Sequence, residues 1–170
     1  MPDMTAPAVK LNESDVHWFE RRSPKGRFAF RSKRLSVRLN APPREISDGS
    51  ETAAPRPFEV DLFTVPPGAR AFPRHAHSLQ WEYYLFLDGT GEIVQSGDDP
   101  IPVRAGDHVL QPPGWVHTIA NTGVTDLTYY VIASNQPGEV VHHVDSDKWL
   151  VLPGRDLLRK VDTDFYAGEE

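Results

Sequence analysis

Apolar and polar residues alternate along much of the chain with the two-residue period of half-buried β-strands. From Phe58 onward, short apolar-rich runs recur at close spacing, and nearly all of them stop at Pro or Gly. Phe58 to Val65 ends at Pro66-Pro67-Gly68, Ala71 to His77 follows, and Glu82 to Leu87 ends at Asp88-Gly89-Thr90-Gly91. Glu92 to Gln95 halts before Gly97 and Pro100, and His108 to Gln111 runs into Pro112-Pro113-Gly114. Val116 to Ala120 meets Asn121-Thr122-Gly123, and Leu127 to Ala133 meets Asn135-Gln136-Pro137-Gly138. Such a succession of short strands and turns predicts an all-β sandwich or barrel.

The flanks read differently. Residues up to about Asp15 are polar and small, without a periodicity that specifies an element. From His17 to Leu39 the pattern predicts two or three short strands, with a turn at Ser23-Pro24-Lys25-Gly26 and Leu35 to Leu39 as the last strand. Ala41 to Pro57 has only Ile46 to bury and many Pro, Ser and Gly residues, which predicts a loop. Beyond Gly138 the pattern is mixed, with a helical turn expected over Asp156 to Lys160. The chain therefore divides into an N-terminal strand extension (1–57), a core (58–137) and a C-terminal tail (138–170).

Composition narrows the chemistry. A length of 170 residues suits about one domain. Cysteine is absent, so disulfides, thiolate-bound clusters and cysteine nucleophiles are excluded. The net charge of −6 argues against nucleic-acid binding by bulk charge. The basic stretch from Arg21 to Arg38 reads as an edge hairpin whose charges deter aggregation or pair with the acidic body. No apolar run approaches the ~18 residues that span a bilayer, and the N-terminus lacks the basic and apolar segments of a secretory signal, so a cytoplasmic location is expected. G-x-S-x-G, P-loop and G-x-G-x-x-G motifs are all missing.

Four potential ligands fall on predicted strands: His75, His77, Glu82 and His117. Strand residues two apart share a face at ~6.5–7 Å, so His75 and His77 project toward one point. Glu82 opens the next strand after a short connection, and His117 comes from a later one. Imidazoles with a carboxylate suit one divalent transition metal, Fe, Mn, Ni or Zn, with Cu(II) also compatible. An octahedral ion held by these four would keep two positions for water, substrate or dioxygen. Strand parity places Tyr84 and Phe86 on the face of Glu82, and Trp115 and Ile119 on the face of His117. Tyr84 and Trp115, which carry polar handles, and Gln80, a possible donor to a ligand, are the candidate substrate contacts. His17, His108, His142 and His143 read as surface or hydrogen-bonded residues.

The glycines and prolines around the ligands sharpen the pattern. Gly68, His75, His77, Glu82 and Gly89 form G-x6-HxH-x4-E-x6-G, and Gly106, Pro112, Gly114, His117 and Asn121 form G-x5-PxG-x2-H-x3-N. These motifs resemble the two signatures of the cupin superfamily, and the contexts Trp81-Glu82-Tyr83-Tyr84 and Asp145-Ser146-Asp147-Lys148-Trp149 are similar to bacterial single-domain metal-binding cupins. The resemblance implies a double-stranded β-helix, the cupin jelly roll, with one metal inside the barrel mouth on His75, His77, Glu82 and His117. It further implies a homodimer acting on a small organic molecule by oxygenase, isomerase or lyase chemistry. The alternative is a non-catalytic module that binds a metal or small ligand.

Overall fold

The computed structural model describes residues 10–40, 57–97, 99–152 and 154–161. The expected loop over 41–56 and the chain ends lie outside the described residues. The all-β jelly roll forms as expected, from two antiparallel sheets. One sheet contains β1 (Phe19–Arg22), β2 (Ala29–Arg34), β3 (Phe58–Val65), β5 (Glu82–Asp88), β8 (His108–Gln111) and β10 (Leu127–Ser134) in the order β1-β2-β3-β10-β5-β8. The other contains β4 (His75–His77), β6 (Thr90–Gln95), β7 (Ile101–Arg104), β9 (His117–Ala120), β11 (Val140–His143), β12 (Lys148–Val151) and β13 (Asp156–Arg159) in the order β13-β12-β11-β4-β9-β6-β7.

The sheets face each other across an apolar interior. Phe63, Val65, Phe86, Ile93, Leu127 and Tyr129 are buried there, each contributed by the inward parity of its strand. Along β5, Glu82, Tyr84 and Phe86 all turn inward, so the strand runs from a polar end of the interior to a wholly apolar one. The polar end is the open one. Asn121 closes a neighbouring turn by donating to the Val65 and Thr125 carbonyls and accepting from the Gly123 amide.

Several local expectations are corrected. Leu35 to Asn40 forms a short helix, α1, rather than a strand. β1 begins opposite Ser32, so past Arg34 the chain has lost its outer strand partner, and local hydrogen bonds replace the ladder. Ile101–Arg104 forms a strand despite Pro102, because β7 is the edge of its sheet, where a missing N–H is tolerated. Asp156–Arg159 pairs in a hairpin with β12 instead of forming a helical turn, tertiary pairing having overridden helix propensity. Within Ala71 to His77 only the last three residues are strand, since Pro73 cannot donate to a ladder.

The basic N-terminal stretch acquires partners within the chain. Arg31 pairs with Asp126 at 3.2 Å, and Lys33 donates to the Glu13 carbonyl at 2.9 Å. Arg31 and Lys33 also lie over the Trp18 ring, and Arg34 over Phe19.

The β5–β6 hairpin turns on Gly89, at φ +79°, where an added Cβ would sit 2.4 Å from the Asp126 carbonyl oxygen. Gly68 has a similar φ of +75° with nothing within 4 Å of such a Cβ. Gly68→Ala therefore costs only the left-handed strain of about 1–2 kcal/mol, whereas Gly89→Ala adds a backbone clash of roughly 1–3 kcal/mol. Denaturant unfolding of the two variants should rank them in that order.

Candidate metal centre

At the open end, a cavity of about 250 Å³ is lined by His75, His77, Gln80, Glu82, Tyr84 and His117 among others. The ligand atoms of His75, His77 and Glu82 all lie within 4.8 Å of one another. His117 joins them through Glu82: its Nε2 is 3.0 Å from the Glu82 Oε2, which is itself 3.6 Å from the His77 Nε2. The His75 ring centroid lies 4.7 Å from that of His117 and 5.1 Å from that of His77. His75 and His117 are direct cross-strand partners between β4 and β9, which brings their rings to one face.

The outward nitrogens decide what the inward ones present. His75 Nδ1 is 2.8 Å from the Pro73 carbonyl, His77 Nδ1 is 3.1 Å from Glu139 Oε1, and His117 Nδ1 is 3.2 Å from the Trp115 carbonyl. Each partner is an acceptor, so each Nδ1 donates to it and each Nε2 is left facing the Glu82 side of the cavity. A cation that takes the place of any proton on those Nε2 atoms would be held by three imidazoles and a carboxylate together. Metal–ligand bonds of about 2.0–2.2 Å put neighbouring donors about 3–3.5 Å apart, close to the separations found from Glu82. The donor set thus fits a divalent transition metal.

Burial, together with the charges of His117 and His77, pushes the His75 imidazole down to about 3, so it is neutral at ordinary pH. Burial works in the same direction on His77, but the hydrogen bond to Glu139 and the charge of Glu82 outweigh it and leave His77 above its usual value. Burial likewise disfavours the Glu82 carboxylate, yet the His117 hydrogen bond and the facing imidazoles hold it well below the usual range. Burial and the Glu82 charge push Tyr84 far up, so its hydroxyl stays protonated and donates to Glu82 Oε2 at 2.8 Å.

The cavity gathers two of the three expected substrate contacts. Tyr84 and Gln80 line it, with the Gln80 amide donating to the Ser134 carbonyl at 2.9 Å. Trp115 does not line it and is 49% exposed. It precedes β9 in a turn, where strand parity no longer applies. Two residues beyond Gly138 belong to the site: Glu139, which no sequence motif marks, and His143, expected at the surface or hydrogen-bonded. Glu139 binds His77, and His143 lines the cavity. By contrast His108 and His142 are hydrogen-bonded at the surface, to Tyr83 and Asp147.

Residues 61–133 match the family model of the cupin domain. That span carries a cupin domain. The chain is 37% identical over 68 residues to an oxalate-binding protein of Thermotoga maritima, a match covering 40% of this chain. It spans 54%, about half, of that relative's length. Among solved structures it resembles a sugar phosphate isomerase of the cupin superfamily from Silicibacter pomeroyi, with 22% identity, a TM-score of 0.70 and coverage of 89% of this chain and 92% of that one. A polyketide cyclase from Streptomyces resistomycificus aligns with 20% identity and a TM-score of 0.57 over 79% of this chain and 84% of that one. At such identities the two structures share the fold.

The turn between the histidine strand and β5 is tied down by Glu139. Its carboxylate accepts from the amides of Ser78, Leu79 and Gln80 at 3.0, 2.8 and 2.9 Å as well as from His77. Glu139→Gln turns an amide NH2 toward those donors, and metal affinity should fall roughly 10–100-fold, measured by competition against a chromophoric chelator. A change below about twofold would contradict the assigned role.

Protonation supplies a second check. His77, whose value is raised, holds its proton below that value and loses it above, while His75 is neutral throughout the same range. Metal uptake should therefore release a proton from His77 at pH below its raised value and progressively less above it. Titration calorimetry in buffers of different ionisation enthalpy reads this directly, and a pH-independent release would count against it.

Proposed function

We propose that this cupin holds one divalent transition metal, Fe, Mn, Ni or Zn, on His75, His77, Glu82 and His117, and acts there on a small organic molecule bearing oxygen donors. The observation carrying this reading is the shared ring orientation: each Nδ1 is engaged by an acceptor, leaving each Nε2 directed to the Glu82 side of the cavity. Lewis acidity, or with iron dioxygen chemistry, is what such an ion supplies when bound.

The chain's own residues set the conditions for that chemistry. His75, His77 and His117 offer ring nitrogens, and Glu82 offers a carboxylate whose charge the Tyr84 hydroxyl steadies. Phe63, Phe72, Ala71 and Val131 make much of the remaining wall apolar, so a small molecule entering displaces water from around the polar end. Isomerase, lyase and oxygenase reactions on a chelating substrate are all compatible with this arrangement. The second reading, a module that binds a small ligand without turnover, is favoured by the similarity to the oxalate-binding protein.

Purified protein dialysed against metal-free buffer should retain about one equivalent of transition metal by elemental analysis, and the His75→Ala, His117→Ala double variant should retain almost none. Retention by the double variant would overturn the ligand assignment. Sustained turnover of a hydroxy acid, diketone, catechol or sugar phosphate by the loaded protein would reject the binding-only reading.

A further inference from the structure

The sheet that contains β5 and β10 is apolar on its outer face, where a solvated face would be polar. Leu110, Tyr83, Ile132 and Val60 are successive cross-strand partners through β8, β5, β10 and β3. Directly opposed residues of antiparallel strands project from one face, and the inward parity of Glu82, Tyr84 and Phe86 puts this row on the outside. The next row along the strands is His108, Leu85, Tyr130 and Leu62, and Phe58 opposite Ser134 flanks the other side. None of these positions carries Lys, Arg, Asp or Glu.

β3 shows the reversal most plainly. Its acidic residues, Glu59 and Asp61, are the inward partners of Ala133 and Val131 and line the cavity, while Phe58, Val60 and Leu62 point outward. A sheet with one solvated face alternates the other way, and strands covered on both faces read as continuous apolar runs. Tyr83-Tyr84-Leu85-Phe86-Leu87 and Tyr129-Tyr130-Val131-Ile132-Ala133 are such runs. In the opposite sheet, the outward positions of β6 and β7 include Thr90, Glu92, Pro102 and Arg104. Toward β3 the chain covers its apolar face itself: Leu62 is buried, and the Glu13 carboxylate accepts from the Tyr130 hydroxyl and from Lys33. Toward β5 and β8 the face stays open, with Leu110 59%, Leu87 42% and Ile132 39% exposed, and with Phe58 and Trp81 about half exposed at its border.

We propose that this face is the interface between two copies of the chain, packed sheet against sheet about a two-fold axis. Such a contact puts the same patch on both partners, and twisted sheets stack face to face at about 10 Å. An uncharged face gives a charged partner nothing to pair with, whereas a second copy brings an equally uncharged one, with the acidic excess of each chain, −6 overall, outside the contact. The area also suits a second copy. The accessible parts of Leu110, Leu87, Ile132, Phe58 and Trp81 come to roughly 400–500 Å² per copy. The partly exposed Tyr83, Leu85, Val60 and His108 bring the face toward the ~800 Å² per partner of a standard interface.

The test uses the full-length chain. Sedimentation velocity should find a species of twice the 19.1 kDa chain mass. Leu110→Glu and Ile132→Glu each set a carboxylate against the partner's apolar row, and each should weaken the dimer at least about a hundredfold. The chain has no cysteine, so Leu110→Cys introduces a unique thiol. Its alkylation rate should rise as the protein is diluted from about 100 μM to about 10 nM, by about tenfold for each hundredfold dilution in the range where dimer predominates. Val124→Cys, 93% exposed in the turn before β10, should keep its rate. A wild type that stays monomeric at the highest concentration overturns the proposal. So does a dimer that either glutamate variant, shown to be folded by cooperative unfolding, leaves intact. If neither variant folds, the Leu110→Cys rate decides: independence of concentration overturns the proposal, whether the rate is slow because the chain's own residues cover the face or fast because nothing does.

Discussion

The Glu139 carboxylate accepts hydrogen bonds from three consecutive backbone amides and from the ring of His77, at almost complete burial. Those amides belong to Ser78, Leu79 and Gln80, the connection between the strand that carries His75 and His77 and the strand that begins with Glu82. Three amides pointing inward from an irregular turn need an acceptor, and a buried carboxylate needs donors. Each satisfies the other. Because the carboxylate also fixes the His77 ring, the turn, the ring and the start of β5 are set relative to one another by a single side chain, and the separation between imidazoles and Glu82 follows from it.

That side chain comes from outside the span matched to the cupin domain family, as does the whole of β11, which nevertheless sits in the interior of its sheet between β12 and β4. The signature region supplies the ligands. The segment after Gly138 supplies what holds one of them and what stands beside another.

Much of this was legible in the sequence where the information is local. β3, β8 and β10 lie within a residue of the expected bounds because alternation and Pro or Gly punctuation coincide there. His75 and His77 share a face through simple two-residue spacing, and Glu82 follows across a short turn. Glu139 and His143 were not legible, because their positions depend on the pairing of β11 with β4, more than sixty residues apart in the chain. No local spacing encodes that register. Trp115 failed for the opposite reason: parity was extended one step past the end of a strand. The helix at Leu35–Asn40 and the strand at Asp156–Arg159 exchanged their expected types because the availability of a partner strand, not the residue pattern, settled both.

Glu82 belongs to one sheet, while His75, His77 and His117 belong to the other. The donor set is therefore a seam between the two layers of the jelly roll, located at the end where the interior is least filled with hydrocarbon. Any breathing motion that parts the layers draws Glu82 away from the three imidazoles, and anything that draws the set together clamps the mouth. Admission of a small molecule and cohesion of the barrel rim are in this way one mechanical variable, read at one end of the molecule and undisturbed by the packed aromatic plug behind it.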